Sequence, residues 1–174
     1  MKTIYSWKIK SLPKPNPALL KRMVKRAAEL SRLDINRNWT AGILFLTDRV
    51  MAKYNAEFLQ HSGTTDVITF SYLDDGYGDD GDTAVELAIG VEVAWREGCQ
   101  RANSSYPEEL TLYIVHGLLH AAGEDDLNPP AKRRMRRREH QVMTQLKKEF
   151  NLNEIFPEIR NLSSIINRKI NINN

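Results

Sequence analysis

The sequence has a single cysteine, Cys99, among its 174 residues. A disulfide within the chain is therefore excluded, and a reducing compartment is favoured. Any metal site in this chain must use nitrogen and oxygen ligands. The helical pattern around Cys99 predicts that its side chain is a small core residue.

Long apolar runs are also missing. No segment approaches the roughly 18 apolar residues of a membrane-spanning helix, and residues 1–7 lack the apolar stretch and cleavage site of a signal peptide. We therefore expect a cytoplasmic protein without a membrane partner. With 41% apolar and 27% charged residues, the composition is typical of a soluble globular protein. We expect one metal-binding domain over residues 1–150 and assign no role to the tail 151–174.

Neither sign of charge is in large excess, since the net charge is only +3. The two signs are nevertheless separated along the chain. Acidic residues concentrate in 74–82, and we expect a solvated loop there, because the order of Asp and Gly does not match a calcium-binding EF-hand. Basic residues concentrate in 132–138 on a predicted helix. Such a run is typical of a solvated helix face, with phosphate contact as the alternative.

Hydrophobic periodicity predicts three or four strands and four or five helices, and hence an α+β domain. The strands are expected at residues 3–10, 39–47, 66–72 and 86–90. The helices are expected at residues 17–30 with Asn16 as N-cap, from an N-cap at Asp48 through Phe58, at 91–101, at 107–123 and from Asn128 to about Phe150.

The helix at 107–123 has the clearest signals. Ser105 and Glu108 have the spacing of a capping box, and Pro107 lies in the first turn. Its residues are apolar nearly all round, which predicts a buried helix. Gly123 is placed to end it in a left-handed turn.

Two histidines lie on this helix, one turn apart. His116 and His120 therefore share a face, and their imidazoles can bind the same ion. Gly123 permits a reversal that returns Asp126 to that ion. A His, His and carboxylate set that leaves the fourth position open is typical of catalytic zinc. The alternative is two ordinary helix histidines, but an unpaired imidazole on a buried apolar helix is costly.

The stretch from His116 to Asp126, HGLLHAAGEDD, resembles the H-G-x-L-H-x-x-G-x-D-(H) signature of the YbeY family of bacterial metal-dependent endoribonucleases and rRNA maturation factors. Residues 65–70, TDVITF, resemble the T-D-V-L-S-F strand of that family. The resemblance covers roughly residues 39–146 in order and spacing, and the further corresponding residues are Asn55, Glu86 to Ile89 and Glu92.

The resemblance implies an α+β fold with a small mixed β-sheet, against which the zinc-binding helix is buried. It also implies one Zn²⁺ ion and a role in the processing and quality control of ribosomal RNA. An rRNA precursor is the expected RNA partner, and the small ribosomal subunit is a further candidate partner.

Two positions depart from the family. Three motif histidines bind the metal there, and Asp126 stands at the third position. Asp125 matches the family's preceding aspartate, an outer partner for a histidine N–H, and is the alternative ligand, although spacing favours Asp126. Leu59 stands where the family usually has an arginine. If that arginine grips phosphate, its role is lost or moved here, and His61 and an arginine from the 132–138 run are the candidates to substitute for it.

These observations predict a zinc-dependent, single-strand-specific endoribonuclease that acts in rRNA maturation and ribosome quality control. One alternative is a non-catalytic, ribosome-associated factor that zinc stabilises. The histidine spacing also resembles that of zinc proteases, which place a glutamate directly after the first histidine as general base. Gly117 occupies that position here and cannot move a proton, which argues against a peptidase.

Overall fold

The computed structural model describes residues 1–73 and 81–159. Most of the predicted acidic loop and residues 160–174 of the tail therefore lie outside the described residues. In chain order the elements are β1 (Lys2–Trp7), α1 (Pro17–Leu30), β2 (Thr40–Leu46), α2 (Asp48–Phe58), β3 (Val67–Ser71), β4 (Thr83–Gly90), α3 (Val91–Gln100), α4 (Tyr106–Ala121), α5 (Pro129–Glu149) and α6 (Leu152–Ile155).

The four strands form one mixed sheet in the order β1-β2-β4-β3. Strands β1, β2 and β4 run parallel, and β3 pairs with β4 in the antiparallel direction. The predicted α+β class and small mixed sheet are confirmed. The described residues form five helices of ten residues or more and the four-residue α6, where the sequence predicts four or five helices.

Helix α4 is packed against the sheet, as its apolar pattern predicts. Its inward side chains, Leu110, Ile114, Leu118 and Leu119 among them, are fully buried. Gly117 allows the close approach, because a Cβ there would lie 2.6 Å from Leu87 Cδ2 and 2.9 Å from Thr69 Oγ1. The position therefore has no room for the general-base glutamate of a zinc protease.

Three local predictions are wrong. The Ser105 side chain makes no cap hydrogen bond, and Glu108 forms an ion pair with Lys147 of α5 instead of closing a capping box. Asp48 is the first residue of α2 rather than its N-cap, and its carboxylate pairs with Arg96 of α3. Cys99 is exposed near the end of α3 and is not a core residue. Tertiary partners outweigh local preference at the first two positions.

The caps of α1 and α5 follow the sequence signals. The Asn16 side chain accepts hydrogen bonds from the backbone N–H groups of Ala18 and Leu19. The Asn128 side chain accepts one from the N–H of Ala131 at 2.9 Å. Both side chains satisfy backbone donors that the first turn of a helix leaves free.

Residues just after α5 belong to the same core. Leu152, Ile155 and Phe156 are buried, and the N–H of Asn16 donates to the carbonyl oxygen of Ile155 at 2.9 Å. The extent of the domain, residues 1–150, stays a prediction. None of the helices within residues 1–73 and 81–159 combines the length and apolarity that crossing a membrane requires.

Candidate metal centre

His116 and His120 lie near the C-terminal end of α4, with side chains that are 19% and 29% exposed. Their Nε2 atoms are 3.0 Å apart. The rings are nearly perpendicular, at 89°, and their centroids are 4.5 Å apart. The one-turn spacing therefore directs both ring nitrogens at one point, as the sequence predicts.

The chain reverses directly after α4. Gly123 has a φ of +87°, and its N–H donates to the carbonyl oxygen of His120 at 2.9 Å. The reversal brings Asp126 Oδ1 to 3.9 Å from His120 Nε2. One ligand atom from each of the three residues lies within 4.8 Å of the other two. The structure thus brings together the three side chains that the sequence analysis selects.

Asp125 does not take part in this cluster. Its Oδ1 accepts a hydrogen bond from the N–H of Leu127 at 2.8 Å and so shapes the turn into α5. The expectation that Asp125 supports a histidine N–H is wrong. Glu139 of α5 and the backbone carbonyl of Glu124 make those contacts instead.

These two acceptors determine which ring nitrogens carry protons. His120 Nδ1 lies 3.0 Å from the carbonyl oxygen of Glu124, and His116 Nδ1 lies 2.5 Å from Glu139 Oε1. Carbonyl and carboxylate oxygens only accept hydrogen bonds, so each Nδ1 must hold the proton. In the neutral form of each ring, Nε2 then carries the lone pair and is available as a ligand atom, beside the Asp126 carboxylate. A cation between the two Nε2 atoms, either a shared proton or a metal ion, satisfies this arrangement.

The donor set fits zinc. Two imidazole nitrogens and one carboxylate oxygen are ordinary ligands for Zn²⁺. Bonds of about 2.0–2.1 Å in a tetrahedron separate the ligand atoms by roughly 3.4 Å. The observed separations of 3.0 Å and 3.9 Å lie on either side of that value.

The charges around His116 also favour a bound cation. Burial lowers the pKa of His116, but its hydrogen bond to Glu139 and the charges of Glu139, Asp66 and Asp126 outweigh burial and raise the pKa above its ordinary value. The same negative groups stabilise any cation held beside His116.

Glu139 lies 23 residues after His116, and no motif in the sequence indicates that it supports this histidine. A signal was present, because Glu139 is the one acidic residue between Lys132 and Lys148. Only the crossing of α5 over α4 shows which histidine it contacts.

A cleft of about 480 Å³ opens beside His116. Thr64, Thr65 and Asp66 line it, and Lys132 and Arg136 reach it from α5. Two residues of the basic run therefore share a cleft with His116.

A second cleft, of about 550 Å³, shares Thr64 and Thr65 with the first and contains Leu59 and His61. Leu59 is 45% exposed there. Asn55 is buried, and its side-chain amide donates to the carbonyl oxygen of Gly63 at 3.0 Å, so it holds the loop between the clefts. His61 thus lies beside Leu59, which differs from the family's usual arginine, but His61 does not line the cleft of His116.

The comparisons with known proteins agree on one family. Its model, described as Endoribonuclease YbeY, matches residues 7–147. An Endoribonuclease YbeY from Rhodopirellula baltica is 38% identical over 105 residues, which are 60% of this chain and 52% of that protein. The chain thus spans about half the length of that relative. One from Chlorobium luteolum is 35% identical over 103 residues, which are 59% of this chain and 71% of that protein.

A solved structure has a similar fold. The solution structure of TM1509 from Thermotoga maritima matches with a TM-score of 0.55 and 18% identity, covering 85% of this chain and 89% of that one. At this identity the likeness concerns the fold alone. The family match extends over most of the chain and includes both histidines, Gly123 and Asp126. The chain therefore belongs to the YbeY family.

Proposed function

We propose that this protein is a metal-dependent endoribonuclease that cleaves single-stranded RNA, with ribosomal RNA precursors as its substrates. The two Nε2 atoms, 3.0 Å apart and beside the Asp126 carboxylate, carry the proposal, because ligand atoms at this spacing suit one metal ion at the edge of an open cleft. Maturation and quality control of ribosomes in the cytoplasm is the proposed setting, and the small ribosomal subunit is the proposed partner.

His116, His120 and Asp126 would hold one zinc ion. When bound, zinc supplies Lewis acidity toward phosphoryl oxygens and water at neutral pH. A carboxylate in place of the family's third imidazole lowers the net charge of the site by one and so weakens this Lewis acidity. His₂-carboxylate zinc enzymes tolerate the same ligand set.

The other residues of the cleft position the ligands and the substrate. Glu139 and the carbonyl of Glu124 accept hydrogen bonds from the Nδ1 atoms, so the Nε2 of each neutral ring is available to the metal. Lys132 and Arg136 place positive charge at the cleft wall, where an RNA phosphate would otherwise meet Asp66 and Glu139. They take over the phosphate contact that Leu59 cannot make.

Cleavage of a single-stranded RNA by the purified, zinc-loaded protein tests the proposal. We expect fragments with the wild type, none with His120→Ala, and no cleavage of casein by either protein. The absence of RNA fragments with a zinc-loaded wild type would overturn it.

A second candidate is a non-catalytic ribosome-associated factor that zinc stabilises. It is favoured by Leu59 and Asp126, which stand where the family has an arginine and a metal-binding histidine. It predicts full zinc occupancy and binding to the small ribosomal subunit, with RNA left intact. The cleavage assay therefore separates the two candidates.

A further inference from the structure

The basic run of α5 divides into separate faces. Successive residues of a helix are rotated by about 100°, so Lys132 and Arg136 lie on one side, and Arg134 and Arg137 point away from it. Lys132 and Arg136 line the cleft of His116. Arg134 and Arg137 are exposed. Arg138 turns toward α1 and donates to the carbonyl oxygen of Leu30 at 3.0 Å.

The cleft of His116 continues into a longer groove between α4 and α5. A neighbouring cleft of about 490 Å³ reaches Lys148 and has Asn103 and Ser104 on its opposite wall. The two clefts share three lining residues, which are Leu112, Arg136 and Glu139. From Lys132 to Lys147 the groove follows α5 for about 22 Å, at 1.5 Å per residue.

The positive charge of this groove is only partly neutralised. Lys147 forms an ion pair with Glu108, and Glu139 is hydrogen-bonded to His116. Within residues 1–73 and 81–159, the side chains of Lys132 and Arg136 form no ion pair or hydrogen bond. A negatively charged partner would therefore find unpaired cations along one wall. The groove is long enough for about six phosphates of a stacked single strand of RNA, at about 3.4 Å per phosphate.

We propose that the groove between α4 and α5 carries the phosphates of the RNA strand that leads away from the metal centre, with Lys132 and Arg136 as its nearest contacts. The inference rests on the proposed function and deepens it, because it gives the substrate a path. An RNA strand is favoured over an acidic protein segment because the groove opens directly onto His116.

Two double variants with the same loss of charge on the same helix test this path. Lys132→Gln/Arg136→Gln removes the groove charges, and Arg134→Gln/Arg137→Gln removes charges from the outer face. Binding of a fluorescent single-stranded RNA of about 12 nucleotides is followed by anisotropy at several salt concentrations. A gel of the same samples records whether the RNA is cleaved during the measurement, and zinc content is measured for every protein.

We expect the groove variant to bind RNA about 10- to 100-fold more weakly. Its log–log salt slope should be smaller by about 1.4, because two phosphate contacts to a single strand are lost. The outer-face variant should change the Kd less than about threefold, since it lacks these contacts. Equal losses in both variants, or no loss in the groove variant, would overturn the proposed path.

Lys148→Gln tests the far end of the groove without touching the metal centre. It should weaken binding more than Arg134→Gln alone, and the reverse order would overturn the path even if the groove double variant lost zinc. The two proposals fail differently. A wild type that binds RNA in the groove and leaves it intact contradicts the nuclease. A wild type that cleaves RNA while the groove variant binds it equally well contradicts the path.

Discussion

Asp125 and Asp126 are adjacent residues with different surroundings. Asp126 faces the two histidines, whereas Asp125 accepts a hydrogen bond from the N–H of Leu127. We expect Asp126→Ala to weaken zinc binding more than about 100-fold. The loss of a residue that only supports a ligand already costs about 10- to 100-fold in metal affinity, and Asp126 is a proposed direct ligand. Asp125→Ala is the matched control and should keep nearly full occupancy. Zinc content by mass spectrometry after dialysis against a weak chelator measures both, and full occupancy in Asp126→Ala contradicts the ligand set.

Glu139 orients His116 through a hydrogen bond of 2.5 Å. Glu139→Gln removes the negative charge and introduces an amide N–H that can donate to Nδ1, which favours the ring proton on Nε2. We therefore expect zinc affinity to fall about 10- to 100-fold. Glu124→Gln is the control, because Glu124 supports His120 through its backbone carbonyl only. Competition with a chromogenic chelator measures the affinities. Equal affinities for the two variants would contradict the role of Glu139.

The close approach of α4 to the sheet depends on Gly117. Alanine is a better helix former than glycine by about 1 kcal/mol. The added Cβ must nevertheless displace Leu87 and Thr69, an overpacking that costs about 1–3 kcal/mol. Since the two effects oppose each other, we expect Gly117→Ala to lower the free energy of unfolding by up to about 2 kcal/mol, measured by urea denaturation. A gain in stability, as propensity alone predicts, would contradict the close packing.

Local signals predict most elements of this fold and fail where a distant partner intervenes. Helix α4, the reversal at Gly123 and the cap at Asn16 follow from residues a few positions apart. Glu108 has the spacing of a capping box, yet Lys147 of α5 takes its carboxylate. Glu139 is invisible to local reasoning for the same reason, since its partner lies on another helix. The packing of α5 on α4 is the part that the sequence alone leaves open.

The segment after α5 closes the core of the protein. Phe156 is 1% exposed, and its ring lies edge-on to Phe45 of β2, with centroids 6.0 Å apart. We expect Phe156→Ala to lower the free energy of unfolding by about 3–5 kcal/mol, because it leaves a cavity against the sheet. Asn153→Ala, at an exposed position of α6, should change it by less than about 0.5 kcal/mol. Thermal and urea unfolding measure both variants, and similar stabilities would place the segment outside the core.

The proposed ligands lie on both sides of the Gly123 reversal, and Glu139 ties them to α5. An ion bound there would hold α4, the turn and α5 in one arrangement that the unfolded chain cannot offer. Binding to the native state alone adds about 2.7 kcal/mol to stability when free metal is 100 times its Kd. A change of that size alters the fraction of molecules open to proteases. The abundance of this protein in a cell would then rise and fall with the supply of its metal.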